Sequence, residues 1–322
     1  MKIILVTGGA GFIGSYVCRS LIEGGYKVVV YDAFIQYVSP FESKYQQFLN
    51  SRFLGIKDNI NFVRGDIRDK NDIRRTLEEW KPNVVIHLAN LPIADLSFTH
   101  TEEAISSILN SAVNILDVIK EKNYVERFVY ASSSMVYGDF IETPISEEAL
   151  KRPKDIYGGT KLAAEILIET YGRRYGVRYT IVRPSAVYGP LDVNRRVAQI
   201  FIENALASKK ITLHGGGGNA LDFSFVEDVA EGIALASLHP RGEGQIFNIT
   251  RGEGRSLLEL VEILKGHFPN LDVEVKEMQL YRPKRGALSI KKARELLGYS
   301  PKFSLESGIE RYVHFMKGIS EV

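Results

Sequence analysis

The sequence predicts an α/β protein, a doubly wound, mostly parallel sheet followed by a smaller carboxyl-terminal domain. Three observations carry this. Residues 2–33 read as strand, glycine turn, helix, strand and acid. Apolar runs of strand length then alternate with helical periodicity as far as residue 182. Beyond residue 194 the alternation loosens into helical patterns at 194–207, 226–238, 256–267 and 304–317, joined by short strands and loops.

Lys2 to Thr7 is an apolar run of buried-strand length, followed at once by Gly8-Gly9-Ala10-Gly11-Phe12-Ile13-Gly14. The glycines fit G-x-G-x-x-G through Gly9, Gly11 and Gly14, and a wider pattern through Gly8, Gly11 and Gly14. Ile13, Val17 and Leu21 recur at helical spacing, and Gly24-Gly25 stops the helix. Tyr26 to Tyr31 forms the next strand, and Asp32 ends it. Glycines let the backbone approach a pyrophosphate, the following helix start favours its charge, and the acid accepts from a ribose diol. This predicts a Rossmann dinucleotide site. No Arg or Lys directly follows Asp32, so nothing there would pair a 2′-phosphate, and NAD is expected over NADP.

The connection 33–59 carries six aromatics and is expected to fold as a short helix over the first strands. Ile60 to Val63 is a third strand, and Asp66 beyond it either touches an adenine amine or caps a turn. A helix over 69–80 and a strand over 84–89 follow; His87 within that strand reads as a core histidine. Residues 101–121 predict one long helix, 125–130 a fifth strand, and 177–182 a sixth. In such sheets ligands sit beyond the carboxyl ends of the strands, where every polar cluster so far lies. Gly215 to Gly218 has no helix directly after it and reads as a flexible turn.

The chain has 322 residues, 45% hydrophobic and 25% charged, enough for a large core in one domain or two intimate ones. A formal charge of +2 with no dense basic stripe argues against a nucleic-acid partner. No run is long and apolar enough to cross a bilayer, and the opening apolar run is too short for a secretory signal. The single cysteine, Cys18, permits no internal disulfide and reads as a packed thiol. The expectation is a soluble cytoplasmic protein.

Tyr157 and Lys161 stand four apart on a predicted helix and share a face. A tyrosine is a poor base at neutral pH, and a nearby ammonium favours its phenolate. Ser132, Ser133 and Ser134, at the end of the fifth strand, supply hydroxyls to hold a substrate hydroxyl.

These motifs resemble the extended short-chain dehydrogenase/reductase family. They are Thr7 to Gly14, the serines leading into Val136-Tyr137-Gly138, Tyr157-x-x-x-Lys161, and Arg183-Pro184-Ser185-Ala186-Val187-Tyr188-Gly189-Pro190. Within it the chain is similar to NAD-dependent nucleotide-sugar epimerases of the UDP-glucose 4-epimerase type. The resemblance implies Tyr157 as the base, Lys161 on the nicotinamide ribose, and Ser133 as the catalytic hydroxyl. It implies NAD contacts from Gly8, Gly11, Phe12, Ile13, Gly14, Asp32, Asp66, Ile67, Leu88, Ala89 and Asn110. Ser133, Ser134, Tyr157 and Arg282 would hold the nucleotide sugar, Arg282 on its diphosphate. No metal is expected, and helices 101–121 and 155–175, with apolar stripes through Ile105, Leu109 and Val113 and through Ile166 and Leu167, would pair in a homodimer. The expected domains are residues 1–182 with 222–250 for NAD, and 183–221 with 251–322 capping the substrate.

Departures sharpen the expectation. Ser134 and Met135 stand where the family's dehydratases carry Asp and Glu, which disfavours elimination. Ala186 and Leu221 stand where many epimerases carry Asn and Arg at the nucleotide end. Arg195, Arg196, Lys284 and Arg285 are basic candidates to replace them. The rival expectations are a nucleotide-sugar dehydrogenase or keto-reductase with net cofactor turnover, and a non-catalytic NAD-binding regulator.

Overall fold

The computed structural model describes residues 1–37, 44–91, 94–277 and 283–320. Seven strands form one parallel sheet: β1 (Ile3–Thr7), β2 (Lys27–Asp32), β3 (Ile60–Arg64), β4 (Val84–His87), β5 (Arg127–Ala131), β6 (Tyr179–Arg183) and β7 (Gln245–Asn248). Their spatial order is β7-β6-β5-β4-β1-β2-β3. The order reverses between β1 and β4, which opens a crevice beyond their carboxyl ends.

Both sheet faces are covered, so the strands are apolar throughout rather than alternating. Ile4, Val6, Val28, Val30, Ile86 and Val129 pack on one side with helices Phe12–Glu23 and Val226–Leu238. Leu5, Val29, Val85 and Phe128 pack on the other with Ile73, Leu77, Ile115, Leu116, Ala164 and Ile168. The expected short helix over the first strands is Tyr45–Arg52. Strands β5 and β6 begin two residues later than the periodicity suggested.

The predicted long helix is interrupted. Thr101–Ala104 and Ser111–Ile119 are α-helical, but Ile105–Asn110 is a π segment. Ser111 Oγ donates to the Ser107 carbonyl at 2.6 Å, a side chain competing for a helix acceptor. The wider turn shifts every side chain before it around the axis.

A second core joins Tyr188, Phe201, Ile202, Leu213, Phe223, Phe225, Leu260, Leu264, Ile309, Tyr312 and Met316. Around it lie helices Val197–Leu206, Leu257–His267 and Leu305–Ser320. The strand pairs Ile211–His214 with Val273–Lys276 and Ala220–Leu221 with Arg255–Ser256 complete the region. Gly215–Gly217 is a tight turn with all three φ angles positive. Ile290, Ala293, Leu297 and Tyr299 return to the first core, three of them from or beside helix Lys291–Leu297. Among the described residues no helix is long and apolar enough to cross a membrane.

Candidate active site

One cavity follows the crevice from the glycine turn to the end of β5. Gly8, Gly11 and Gly14 line it, but Gly9 does not. The wider glycine pattern is therefore the operative one. Gly8 has φ +69°, and a Cβ there would lie 2.6 Å from the Ala89 backbone nitrogen. A Cβ on Gly14 would meet the Gly8 carbonyl at 2.2 Å, so helix and turn pack only as glycines. Gly9 instead lies against Val30.

Helix Phe12–Glu23 opens on this cavity with Gly11 at its N-cap and no side-chain cap. Its first N–H groups are left for an anion. Asp32 lies at the end of β2, where Oδ2 accepts from Ala10 N at 3.0 Å and Oδ1 from Phe34 N at 2.7 Å. Burial raises its pKa, and these two donors with nearby Arg52 oppose the rise. Asp66, Ile67, Leu88 and Ala89 join the lining.

Asn110 does not line the cavity; it is exposed. The π segment turns Ser107, one turn earlier, into the lining instead. Ser107 Oγ and Ser132 Oγ are buried without a protein partner, and both residues face the cavity. Unpaired buried hydroxyls beside a glycine turn fit a polar cofactor such as NAD. Sequence periodicity could not have found Ser107, because a π insertion leaves no compositional mark.

Arg52, from the aromatic-rich connection, also lines the cavity. Its terminal nitrogens donate to the Ala10 carbonyl at 2.7 Å and the Leu191 carbonyl at 2.8 Å. It ties the glycine turn to the loop after β6 rather than offering a fork to a 2′-phosphate.

The chemical end lies where β5 meets helix Ile156–Tyr175. Asp155 caps this helix, accepting from Gly158 N at 2.6 Å, and Gly176 ends it at φ +70°. Tyr157 and Lys161 stand on its inner side. Lys161 Nζ is buried, donates to the Ala131 carbonyl at 2.6 Å, and lies 4.8 Å from the Tyr130 ring and 5.7 Å from the Tyr157 ring. Burial depresses it to about 7, with Glu165 opposing.

Ser133 sits beside the Tyr157 phenol and favours its ionised form. Burial nevertheless pushes that phenol up to about 12, while Arg196 and Ser133 pull it down. The expected lowering of Tyr157 by Lys161 is not found: burial dominates, the opposing pull comes from Arg196 and Ser133, and a lysine near 7 is half discharged at neutrality.

His87 is a core residue. Its ring nitrogens meet Thr7 Oγ1 at 2.7 Å and Ser111 Oγ at 3.0 Å, and burial lowers it to about 3. It stays neutral.

The basic candidates separate. Arg196 lines the cavity, bonds both Asp192 oxygens at 2.7 Å and lies 5.6 Å from the Phe12 ring. Arg285 donates to Ser134 Oγ at 2.9 Å and Ser185 Oγ at 2.7 Å, so its guanidinium binds the residue next to Ser133. Arg195 pairs with Glu203 at the surface, and Lys284 is exposed. Arg282 lies outside the described residues.

The loop after β6 holds several non-glycine residues at positive φ: Ala186 at 36°, Leu191 at 70° and Arg195 at 52°. An asparagine, the residue expected at position 186, would tolerate that region better than alanine. Below this loop Arg183 is fully buried in a two-pronged pair with Glu165, at 2.9 and 2.6 Å, and also donates to Tyr137 Oη at 2.8 Å.

A glycine-turn cavity ending on a serine, a tyrosine and a lysine four residues beyond it defines a site of the short-chain dehydrogenase/reductase type. The chain belongs to the NAD dependent epimerase/dehydratase family, which its residues 4–250 match. UDP-glucuronic acid 4-epimerase from Bacillus cereus, solved with UDP-glucuronic acid and NAD, superposes with TM-score 0.89 at 28% identity over 98% of this chain and 99% of that one. UDP-glucose 4-epimerase from Thermotoga maritima, solved with UDP-glucose, gives TM-score 0.88 at 29% identity over 99% of each chain. The dTDP-D-glucose 4,6-dehydratase of Mus musculus is 30% identical over 98% of this chain and 89% of its own length. The cofactor is NAD.

Proposed function

We propose that this chain is an NAD-dependent epimerase of a nucleotide-diphosphate sugar, acting at C4 through a transient keto-sugar. The observation that carries the reading is the meeting of Ser133, Tyr157 and Lys161 at one end of the NAD cavity, beside Met135. A dehydratase needs an acid where Met135 stands, and a thioether moves no proton.

Bound NAD supplies the hydride acceptor and, in its oxidised ring, a positive charge that favours a phenolate. Tyr157 takes the substrate hydroxyl proton, and Ser133 holds that hydroxyl and shares the proton. Lys161 would hold the nicotinamide ribose. Ser134, with Arg285 behind it, faces the sugar, and residues 183–221 with 251–322 cap it. Arg196 and Arg282 are the diphosphate candidates.

Exposed Ile105 and Ile166, on neighbouring helices, support a homodimer. Light scattering at micromolar concentration should give twice 36.2 kDa. The lone buried cysteine supports a cytoplasmic setting.

The reading is tested by turnover on UDP-glucose, UDP-glucuronic acid and their GDP, CDP and dTDP counterparts. Interconversion of two isomers with no net NADH supports it. Stoichiometric NADH with a released keto-sugar would make the protein a dehydrogenase.

A further inference from the structure

Three segments far apart in the chain converge on the Asp66 side of the NAD cavity. Residues 33–37 run on from β2 and bring Tyr37 to the lining. The Tyr37 phenol donates to Glu103 Oε1 at 3.0 Å. Glu103 belongs to helix Thr101–Ala104 and is not itself part of the lining. Arg68 Nη1 approaches the same Glu103 oxygen at 3.4 Å. Its Nε and Nη2 hold the Asp66 carboxylate at 3.0 and 2.6 Å. The result is an unbroken polar chain, Tyr37–Glu103–Arg68–Asp66, across the segments that follow β2, β3 and β4.

The Tyr37 ring gives this chain an apolar foot. It packs on Leu91, Ala104 and Ile108, the same small cluster that Tyr157 touches. Burial, with Glu103 beside the phenol, keeps it protonated, and so a donor, at any physiological pH. The Arg68, Asp66 and Glu103 side chains are 38%, 36% and 27% exposed, which places them at the cavity rim and leaves them able to part. A ribose on Asp32 would leave its base on this side of the cavity, where Asp66 and Arg68 line the wall.

Resting on the assignment of this cavity to NAD, we propose that Tyr37, Glu103 and Arg68 form a latch across its adenine end that sets how long the cofactor stays bound. A latch suits an enzyme that returns its hydride within each cycle, since a retained cofactor then limits nothing. It is made of rim contacts that water can open. Screening by salt should therefore loosen it.

The experiment follows NADH fluorescence after the purified protein, loaded with NADH, is mixed with excess NAD. Wild type is compared with Glu103→Gln, Tyr37→Phe and the double variant, each at low and high salt. Glu103→Gln keeps an acceptor for Tyr37 but removes the ion pair. Each single variant should release NADH about threefold to fivefold faster, the range expected of a rim pair. Because the two residues act in one chain, the double variant should release no faster than the quicker single one. Salt should speed release from wild type but not from Glu103→Gln. Unchanged release in both variants, or equal salt dependence in wild type and Glu103→Gln, would overturn the latch. Calorimetry of NAD binding to wild type keeps the two claims apart: a protein that bound no NAD would refute the cofactor assignment itself.

Discussion

The cofactor cavity and the region beyond β6 are built by different means. The glycine-turn end of the cavity comes from one contiguous stretch: a glycine turn, a helix start and one terminal acid, all within residues 8–32. The region around β6 and beyond is held together by side chains drawn from distant segments. Arg183 meets Glu165 and Tyr137, and Arg285 meets Ser134 and Ser185. Asp222 accepts from Thr250 Oγ1 at 3.0 Å and from Leu288 N at 2.9 Å. A backbone site can be written in a short contiguous motif. A side-chain site has to be assembled by the fold, and its residues can be exchanged without changing the strands beneath.

The two halves meet at Tyr157, so its loss should stop chemistry without touching either. Tyr157→Phe should lower kcat by about a hundredfold or more while the NAD dissociation constant stays within about twofold. Steady-state kinetics with calorimetry separates the two. Near-normal turnover would remove Tyr157 from the mechanism.

Two aspartates sharpen the contrast. Asp222→Ala leaves buried donors on Thr250, Gly252 and Leu288 without an acceptor and should cost about 2–4 kcal/mol of stability. Asp32→Ala should cost less stability but erase the preference for NAD over NADP. Urea titration and cofactor binding read the two out. Asp222 adds a pH signature, because burial raises it to about 6 from an ordinary 3.8. The folded state then holds its proton longer than the unfolded one, so stability contributed there is full below about pH 4 and lost as pH rises through about 6. Asp222→Asn should flatten that slope.

Lys161 tests whether the halves are coupled electrically. Burial disfavours its charge, with a pKa of about 7. If NAD is held by the ammonium form, binding near pH 8 must draw a proton from buffer, whereas binding near pH 6 draws almost none. Calorimetry in buffers of different ionisation enthalpy measures this. Proton release on binding would mean that Lys161 serves NAD neutral.

The smallest effect concerns the strained loop. Ala186→Gly relieves a left-handed alanine but loosens the unfolded chain, for a net gain of about 0.5 kcal/mol. A destabilised variant, by thermal melting, would show that the alanine methyl packs there to advantage.

The same contrast explains what the sequence disclosed. The glycine turn, Asp32 and the Tyr157–Lys161 spacing were legible because each is local. Strand β7 and helix Lys291–Leu297 were not anticipated as elements, being short and held by tertiary packing. Ser107 was hidden by the π segment, and Asn110, expected in its stead, is carried to the surface. Arg52 looks like any other arginine until the fold closes around it. Counting a lysine four residues from a tyrosine also missed that burial acts on both partners, raising one and lowering the other.

The central claim is that the hydride taken from C4 returns to C4. It is tested most directly by a single turnover of a nucleotide sugar carrying deuterium at C4, with the product isomers separated and weighed. The account predicts an inverted sugar that keeps the label at C4. Label found in free NADH, with a keto-sugar released, or label moved to C6 with loss of water, would contradict it.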